Sequence, residues 1–417
     1  MLKLTLIGAG SSYTPELVEG VITHHTDLPF SEICLHDIDA ERLAILTGLT
    51  ERMLARSELP VVVTATGDRR TALKGATFVN CLIRVGGMAA RIQDERIPLR
   101  YGVIGQETTS PGGMMKALRT IPVMLDLVAD IAEVCPQAWL INYTNPSGII
   151  AEALGKYGRA RFVGLCSGPH EWSAAILRAM GVAPERATVE WLGLNHLGFA
   201  TRVWVDGEDA TEQAIEAVAG SWAIDGDLIR TLGAIPASYL QYYYDHDRLV
   251  AQSRQPGHQT RGERVREIES ALLQAYADPT LDTKPALLQQ RGGGGYAAVA
   301  FAAMTAIAHN TGDRQVIQTL NRGALDGLPE DASVEIPCLV DHTGPHPVRI
   351  GSIPLAIRGL IQAVKAYESL TVEAAVRQSK PIALQALLAH PLAPDWETAR
   401  AMLDALFAAN RAWVPWA

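Results

Sequence analysis

A strand-like run at residues 3–7 stops on Gly8-Ala9-Gly10-Ser11-Ser12-Tyr13 and is followed at once by a helical stretch, residues 15–24. Strand, glycine turn and helix in that order open a dinucleotide-binding unit. One glycine makes the tight turn, another lets backbone approach a pyrophosphate, and the phosphate charge rests at the helix N-terminus. The third glycine of the usual fingerprint is missing, so the pattern takes its weight from its context. Asp37 ends the next strand-like run, residues 32–36, where a carboxylate accepts from a ribose 2′-hydroxyl and repels a 2′-phosphate. NAD is therefore expected over NADP, with contacts from Gly8, Gly10, Ser11, Ser12 and Asp37. The plainer alternative is an ordinary turn and a helix-capping aspartate.

The alternation continues. Residues 40–56 read as helix, 61–66 and 78–83 as strands, 118–134 as a helix ending before Pro136, and 139–143 and 161–165 as strands. Strand and helix alternating at this pace predict a parallel sheet with crossover helices. The second half differs. Residues 189–192, 201–205, 334–340 and 349–353 are strand-like, 215–219 and 286–308 are helical or glycine-led, and 357–409 are alanine-rich and helical. The expectation is an α/β chain in two parts that share a cleft. An NAD-binding Rossmann-type domain with a parallel sheet spans 1–168, and a C-terminal α+β domain for catalysis and oligomerisation spans 169–417.

Composition narrows the partners. With 417 residues, 48% hydrophobic and 19% charged, the chain can bury a large core, and disorder is not expected. A formal net charge of −9 argues against nucleic acid, which needs a basic face. Any anionic substrate must then be met by a local cluster of arginines. No signal-peptide pattern and no run of 18 apolar residues stands out, so no membrane partner is expected. Five scattered cysteines (Cys34, Cys81, Cys135, Cys166, Cys338) argue against a disulfide framework and fit a cytoplasmic location. The default for four of the five is a small buried hydrophobe.

Beyond the glycine turn, which runs on into Thr14-Pro15-Glu16-Leu17, a series of short strings crosses most of the chain. The first half has Ile83-Arg84-Val85-Gly86-Gly87, Arg91, Asp94-Glu95-Arg96-Ile97-Pro98-Leu99, Tyr101-Gly102-Val103-Ile104-Gly105-Gln106-Glu107-Thr108, Asn142-Tyr143-Thr144-Asn145-Pro146 and Gly164-Leu165-Cys166. The second has Gly193-Leu194-Asn195-His196, Tyr239-Leu240-Gln241-Tyr242-Tyr243-Tyr244, Thr260-Arg261, Lys284-Pro285, Arg291-Gly292-Gly293 and Val334-Glu335-Ile336-Pro337-Cys338. Each is weak alone. Together, and in this order, they resemble glycoside hydrolase family 4, the NAD-dependent glycosidases, and the Gly105-Gln106-Glu107-Thr108 form resembles its 6-phospho-β-glucosidase branch.

The resemblance implies hydrolysis by transient oxidation. NAD removes hydride from sugar C3, and the resulting ketone acidifies the C2 proton. A base removes that proton, the aglycone leaves from C1, water adds, and the hydride returns. Such a route needs a Lewis acid on the sugar oxygens and a base at C2 rather than a carboxylate pair. By resemblance Cys166 and His196 are the metal ligands and the ion is Mn²⁺, although softness alone would suggest Zn²⁺. Tyr239 matches the C2 base and Glu107 a position that raises its basicity, with Tyr242 and Tyr243 as fallback bases. Arg91, Asn145 and Arg261 match substrate-binding positions, and Arg84 and Arg291 are further candidates because guanidinium forks suit phosphate. The substrate implied is a small phosphorylated glycoside, and the assembly a homodimer or homotetramer.

Each choice has a plain counterpart: two core residues for Cys166 and His196, a packed aromatic cluster for the tyrosines, ion pairs for the arginines. The chain departs from the family in Ser167-Gly168-Pro169-His170-Glu171-Trp172. Phospho-β-glucosidases of this kind usually carry asparagine after the metal cysteine, and phospho-α-glucosidases carry aspartate. The absence of an acid there disfavours the α-phospho reading, leaves a uronide as an alternative, and makes Ser167, His170 and Glu171 candidate proton donors or contacts. A 2-hydroxyacid dehydrogenase is the rival from another class, disfavoured by a cysteine paired with His196. A non-catalytic NAD sensor is disfavoured because Tyr239 and His196 are both present.

Overall fold

The computed structural model describes residues 2–292 and 294–416; Gly293 of the Arg291-Gly292-Gly293 string lies outside the described residues. Strands β1 (Leu2–Ile7), β2 (Phe30–His36), β3 (Val62–Thr66), β4 (Phe78–Cys81), β5 (Trp139–Asn142) and β6 (Arg161–Gly164) are separated by helices α1 (Thr14–Thr23), α2 (Ala40–Arg56), α3 (Arg69–Leu73), α4 (Gly87–Arg100), α5 (Pro111–Val134) and α6 (Ser147–Tyr157). The strands pair in parallel in the order β3-β2-β1-β4-β5-β6. This is the doubly wound dinucleotide-binding arrangement, and the expected Rossmann-type sheet is present. β4 and β5 are buried along their whole length, as strands covered by helices on both faces must be.

Three strands from the second half, Asp313–Leu320, Ser333–Asp341 and Gly344–Pro347, extend the same sheet beyond β6 with antiparallel pairing, giving nine strands. Residue 168 opens helix α7 (Gly168–Met180), directly after β6. A second sheet is built on the hairpin β7 (Ala187–Leu194) and β8 (Leu197–Val205), with Ile235–Pro236 added at the β8 edge. One hydrophobic core runs from Leu4 and Leu6 through Phe199 and Ile336 to Leu403, so both halves of the chain close around it.

The alanine-rich tail is three helices, Leu355–Arg377, Lys380–Ala389 and Trp396–Asn410. Gln378, at φ +51, ends the first; Ser379 caps the second by accepting from Ile382 N, and Asp395 caps the third through Thr398 N. The first of them packs on α5 and α6. Helix α4 turns Arg91, Asp94 and Glu95 inward. Arg119 of α5 joins Asp94 Oδ1 at 3.0 Å, Val85 O at 2.9 Å and Asn410 Oδ1 at 3.0 Å, locking α4 to α5 and to the last helix. Burial still pushes the Asp94 carboxyl up to about 6, with Arg119 pulling the other way.

Candidate active site

Neighbouring parallel strands end on the same edge, so β1, β4, β5 and β6 deliver their carboxyl ends to one crevice, where ligands of such sheets bind. Gly8 follows β1, Ile83 and Arg84 follow β4, Asn145 follows β5, and Cys166 follows β6. Gly8 sits at φ +86, and a Cβ there would lie 3.0 Å from Ile83 N. A Cβ on Gly10 would lie 2.7 Å from Asp37 Oδ2, the atom that accepts the Gly10 amide at 2.7 Å. The amides of Gly8 and Ala9 both donate to His36 O at 2.9 Å. The turn is thus bare backbone ahead of α1, with Asp37 beside it at the end of β2. That cradle fits a dinucleotide.

Cys166 Sγ lies 3.6 Å from His196 Nε2. His196 occupies the β7–β8 turn at φ +62, a left-handed conformation that costs a non-glycine residue about 1–2 kcal/mol. Its Nδ1 is 2.8 Å from Thr108 Oγ1, and the Thr108 hydroxyl donates to Gln106 Oε1, also at 2.8 Å. The hydroxyl oxygen therefore accepts the Nδ1 proton, and Nε2 keeps its lone pair towards Cys166. Burial lowers the His196 imidazole to about 3, with Glu107 opposing, so the ring is neutral at physiological pH. Burial, Glu335 and Glu171 push the Cys166 thiol up. A bound cation reverses that shift, because a coordinating thiol is deprotonated outright. Among the described residues no cluster of three or more His, Cys, Asp or Glu side chains is placed to hold a metal. A neutral imidazole and a thiol with further positions left for oxygen ligands suit a catalytic divalent ion.

Tyr239 lies in the short turn Ser238–Leu240, just after the segment that pairs with β8, and its ring stacks on His196 with centroids 3.9 Å apart and planes within 8°. Of its neighbours, Tyr242 also meets the Tyr239 ring edge-on, with centroids 6.0 Å apart, and each has further company. Tyr243 donates to Thr109 O at 3.4 Å and stacks on His390, Tyr244 packs against the main core, and Tyr242 packs against a small cluster of Leu99, Ile104 and Val250. Burial holds the Tyr239 phenol above its ordinary value; Cys166, Tyr242 and Glu107 add to this, and Arg91 opposes it.

Glu107 is gripped by three cations. Arg84 Nη1 bonds its Oε2, Arg91 Nη1 lies 2.9 Å from Oε1, and Lys116 Nζ lies 2.7 Å from Oε2. Burial would raise this carboxyl, but the three cations hold it well below the usual range. Burial and the nearby Arg84 lower Lys116 to about 7 despite the Glu107 contact. Arg91 is also bonded to Glu95 Oε1 at 2.8 Å. Lys116 is the member of this cluster that sequence reading missed; it carries no motif, and only its place one helical turn into α5 puts it there.

Asn145 Nδ2 donates to Tyr143 O at 3.4 Å, and Asn145 Oδ1 accepts from Ser147 N at 3.4 Å. Arg261 opens helix Arg261–Tyr276 and donates to Arg291 O at 2.6 Å and Gln290 O at 3.2 Å. Burial and the nearby guanidinium of Arg91 lower it. Among the described residues carbonyls hold it rather than a carboxylate, so its charge remains available to an anion. In the departing segment Ser167 is buried, His170 and Glu171 are exposed, and Trp172 meets the Tyr239 ring edge-on at 6.1 Å. Behind Cys166, Glu335 accepts from Asn195 Nδ2 at 3.1 Å and Gln318 Nε2 at 2.9 Å, and burial pushes it up to about 7. A polar cavity of about 800 Å³, lined by Arg96, Arg254 and Glu263 among others, contains none of the expected site residues.

Residues 3–182 match the model of family 4 glycosyl hydrolases, and residues 191–393 match that of their C-terminal domain. The "Probable 6-phospho-beta-glucosidase" of Bacillus subtilis (strain 168) is 40% identical over 432 residues, covering 99% of this chain and 97% of that protein. The 6-phospho-beta-glucosidase of Escherichia coli (strain K12) is 35% identical over 99% of this chain and 96% of its own. Among solved structures, the 6-phospho-beta glucosidase from Thermotoga maritima, determined with manganese, NAD⁺ and glucose-6-phosphate, superposes with a TM-score of 0.92 at 34% identity over 99% of both chains.

Proposed function

The chain belongs to family 4 of the glycosyl hydrolases, and from that premise we propose that it hydrolyses 6-phospho-β-glucosides with NAD and manganese as cofactors. The observation that carries the catalytic assignment is the meeting of Cys166, His196 and the Tyr239 ring at the carboxyl edge of the sheet. When bound, NAD supplies a hydride acceptor and donor for sugar C3, and manganese supplies Lewis acidity for the sugar oxygens.

The chain's own groups do the rest. The turn of Gly8, Gly10, Ser11 and Ser12 takes the diphosphate of the cofactor and Asp37 its ribose. Cys166 and His196 hold the ion, with His196 oriented by Thr108. Tyr239 removes the C2 proton. Glu107 adds to the basicity of Tyr239 and fixes Arg84, Arg91 and Lys116 around the site. Arg261, held among the described residues by carbonyl oxygens, takes the 6-phosphate, while Arg91 and Asn145 orient the sugar. In a chain of net charge −9 these cations form the local positive field that an anionic sugar requires.

Hydrolysis of p-nitrophenyl 6-phospho-β-glucoside tests this reading. Nitrophenol release should depend on both NAD and Mn²⁺, with no net accumulation of NADH. The α-anomer and the glucuronide should react far more slowly. Full activity after thorough removal of NAD or of metal would refute the mechanism, and steady NADH release would favour a dehydrogenase.

The reading includes a homodimer or homotetramer in the cytoplasm. Leu355, Leu388, Trp396 and Trp413 expose apolar side chains on or beside the C-terminal helices, which supports a covered face there. All five cysteines are free, as a reducing compartment requires. No helix among the described residues is long and apolar enough to cross a membrane. Light scattering should give two or four copies of the chain, and a monomer at every working concentration would overturn the oligomer.

A further inference from the structure

Glu269 has no part in the chemistry above, yet it reaches the glycine turn. It projects from helix Arg261–Tyr276, and its Oε1 accepts the buried Ser12 hydroxyl at 3.3 Å. The same oxygen lies 3.1 Å from Arg42 Nη2 and 3.6 Å from Arg291 Nη2. Arg42 also donates from Nε to Gly10 O at 2.8 Å. Arg291 lies over the Tyr13 ring, 4.2 Å from its centroid. Its side chain is only 8% exposed, and its Nε has no hydrogen-bond partner among the described residues. Burial would push the Glu269 carboxyl up, but Arg42 and Arg291 hold it below the usual range, so it is ionised at neutral pH.

Two guanidiniums and the Glu269 carboxylate are therefore gathered on the turn that leads into α1, beside Asp37, which accepts the Gly10 amide. That end of a helix favours anions. Here the anion is supplied by the protein itself. A diphosphate offers more charge and more acceptor oxygens than one carboxylate, and the unused Arg291 Nε points to an acceptor still to come. We propose that Glu269 is an internal stand-in for the diphosphate of NAD: it keeps Arg42 and Arg291 beside the turn, yields them when the cofactor enters, and so limits NAD affinity. The competition has a physical use, because without it two guanidiniums would sit partly buried and unpaired in the empty site. Arg42 and Arg291 are the direct contacts in this scheme, and Glu269 acts through them.

The inference rests on the reading of residues 8–12 as the NAD turn, and calorimetric titration separates the two. Wild type and Glu269→Gln are titrated with NAD, ADP-ribose and adenosine. Glutamine keeps the shape and can still accept from Ser12, but it removes the competing charge. The variant should bind NAD and ADP-ribose about tenfold more tightly and adenosine as before, since adenosine carries no diphosphate. Unchanged or weaker binding of NAD and ADP-ribose, or an equal gain for adenosine, overturns the proposal. Arg291→Gln examines the same contact from the other side and stands even if Glu269→Gln does not fold. It should weaken NAD and ADP-ribose about tenfold with adenosine unaffected, and unaltered affinities overturn the proposal. A wild type that binds neither NAD nor ADP-ribose would overturn the NAD reading and this inference with it.

Discussion

Tyr239→Phe should cut turnover by about two to four orders of magnitude while leaving NAD and Mn²⁺ affinity as they are. The substitution keeps the ring that stacks on His196 and removes only the oxygen that accepts a proton. Elimination needs a base at C2 only after C3 has become a ketone, so the loss should fall on turnover. The phenol of Tyr239 is held high by burial, with Cys166, Tyr242 and Glu107 adding to the effect. A high pKa makes a strong base once the proton is gone but leaves little phenolate at neutral pH. A divalent cation at the adjacent Cys166 and His196 is the charge that offsets this, since a nearby positive charge favours the ionised form. Deuterium at C2 of the substrate should slow the wild-type enzyme wherever proton removal limits the rate. Product formed in D₂O should carry deuterium at C2, because the abstracted proton exchanges with solvent before it returns. A phenylalanine variant of full activity, with product free of C2 deuterium, would place the base elsewhere.

The sheet was legible where its chemistry is simple. β1, β2, β4 and β5 are short apolar runs closed by glycine, aspartate or proline-containing turns, and covered parallel strands read that way. Helix α4 was not legible because its inward face carries Arg91, Asp94 and Glu95, which resembles a solvated surface until their partners Glu107, Arg119 and Gly262 are known. The start of α5 was hidden for a related reason. Pro111-Gly112-Gly113 looks like a helix breaker, yet proline suits the first turn, and a Cβ on Gly112 would lie 2.1 Å from Asp94 O, so the close approach to α4 requires glycine. Asp313–Leu320 escaped notice because Asp313, Arg314, Gln315 and Gln318 dilute its apolar pattern; its inner neighbours are Gly164 and the buried Glu335.

The site followed the same division. Residues carried by strings, such as Cys166, His196, Tyr239 and Glu107, stand out as candidates in the sequence, but the sequence could not say which of them touch. Lys116, the hydrogen-bond chain from His196 through Thr108 to Gln106, and the Arg42–Glu269–Arg291 group lie on different elements, and only the fold brings them together. The cluster on Glu107 also bears on the role proposed for it. A carboxylate facing three cations has much of its field neutralised, so its push on Tyr239 is smaller than an isolated charge would give, and its hold on Arg84, Arg91 and Lys116 is correspondingly important.

Cys166→Ser and His196→Ala should each lower metal-dependent turnover by at least about a hundredfold, since even the partners that orient a metal ligand are worth ten- to a hundredfold. Both folds should survive. Serine at 166 is close in size and can still accept from Gly168 N, which reaches the thiol sulfur at 3.4 Å. Alanine at 196 leaves the β7–β8 pairing intact, and the Thr108 hydroxyl keeps Gln106 as a partner. NAD affinity should be unchanged, because Gly8, Gly10 and Asp37 lie at the ends of β1 and β2 rather than β6. Manganese affinity is the decisive readout, followed from the spectroscopic signal of the free ion during titration. Wild type stripped by chelator should be inactive and recover when Mn²⁺ is added back, whereas neither variant should recover at the same concentration. Partial rescue of the serine variant at high Mn²⁺ would fit an oxygen replacing a thiolate, with no such rescue in the alanine variant, where the donor is gone. Manganese bound as tightly by either variant as by wild type, or full wild-type activity in chelator, would mean that the 3.6 Å approach of Cys166 to His196 is only core packing.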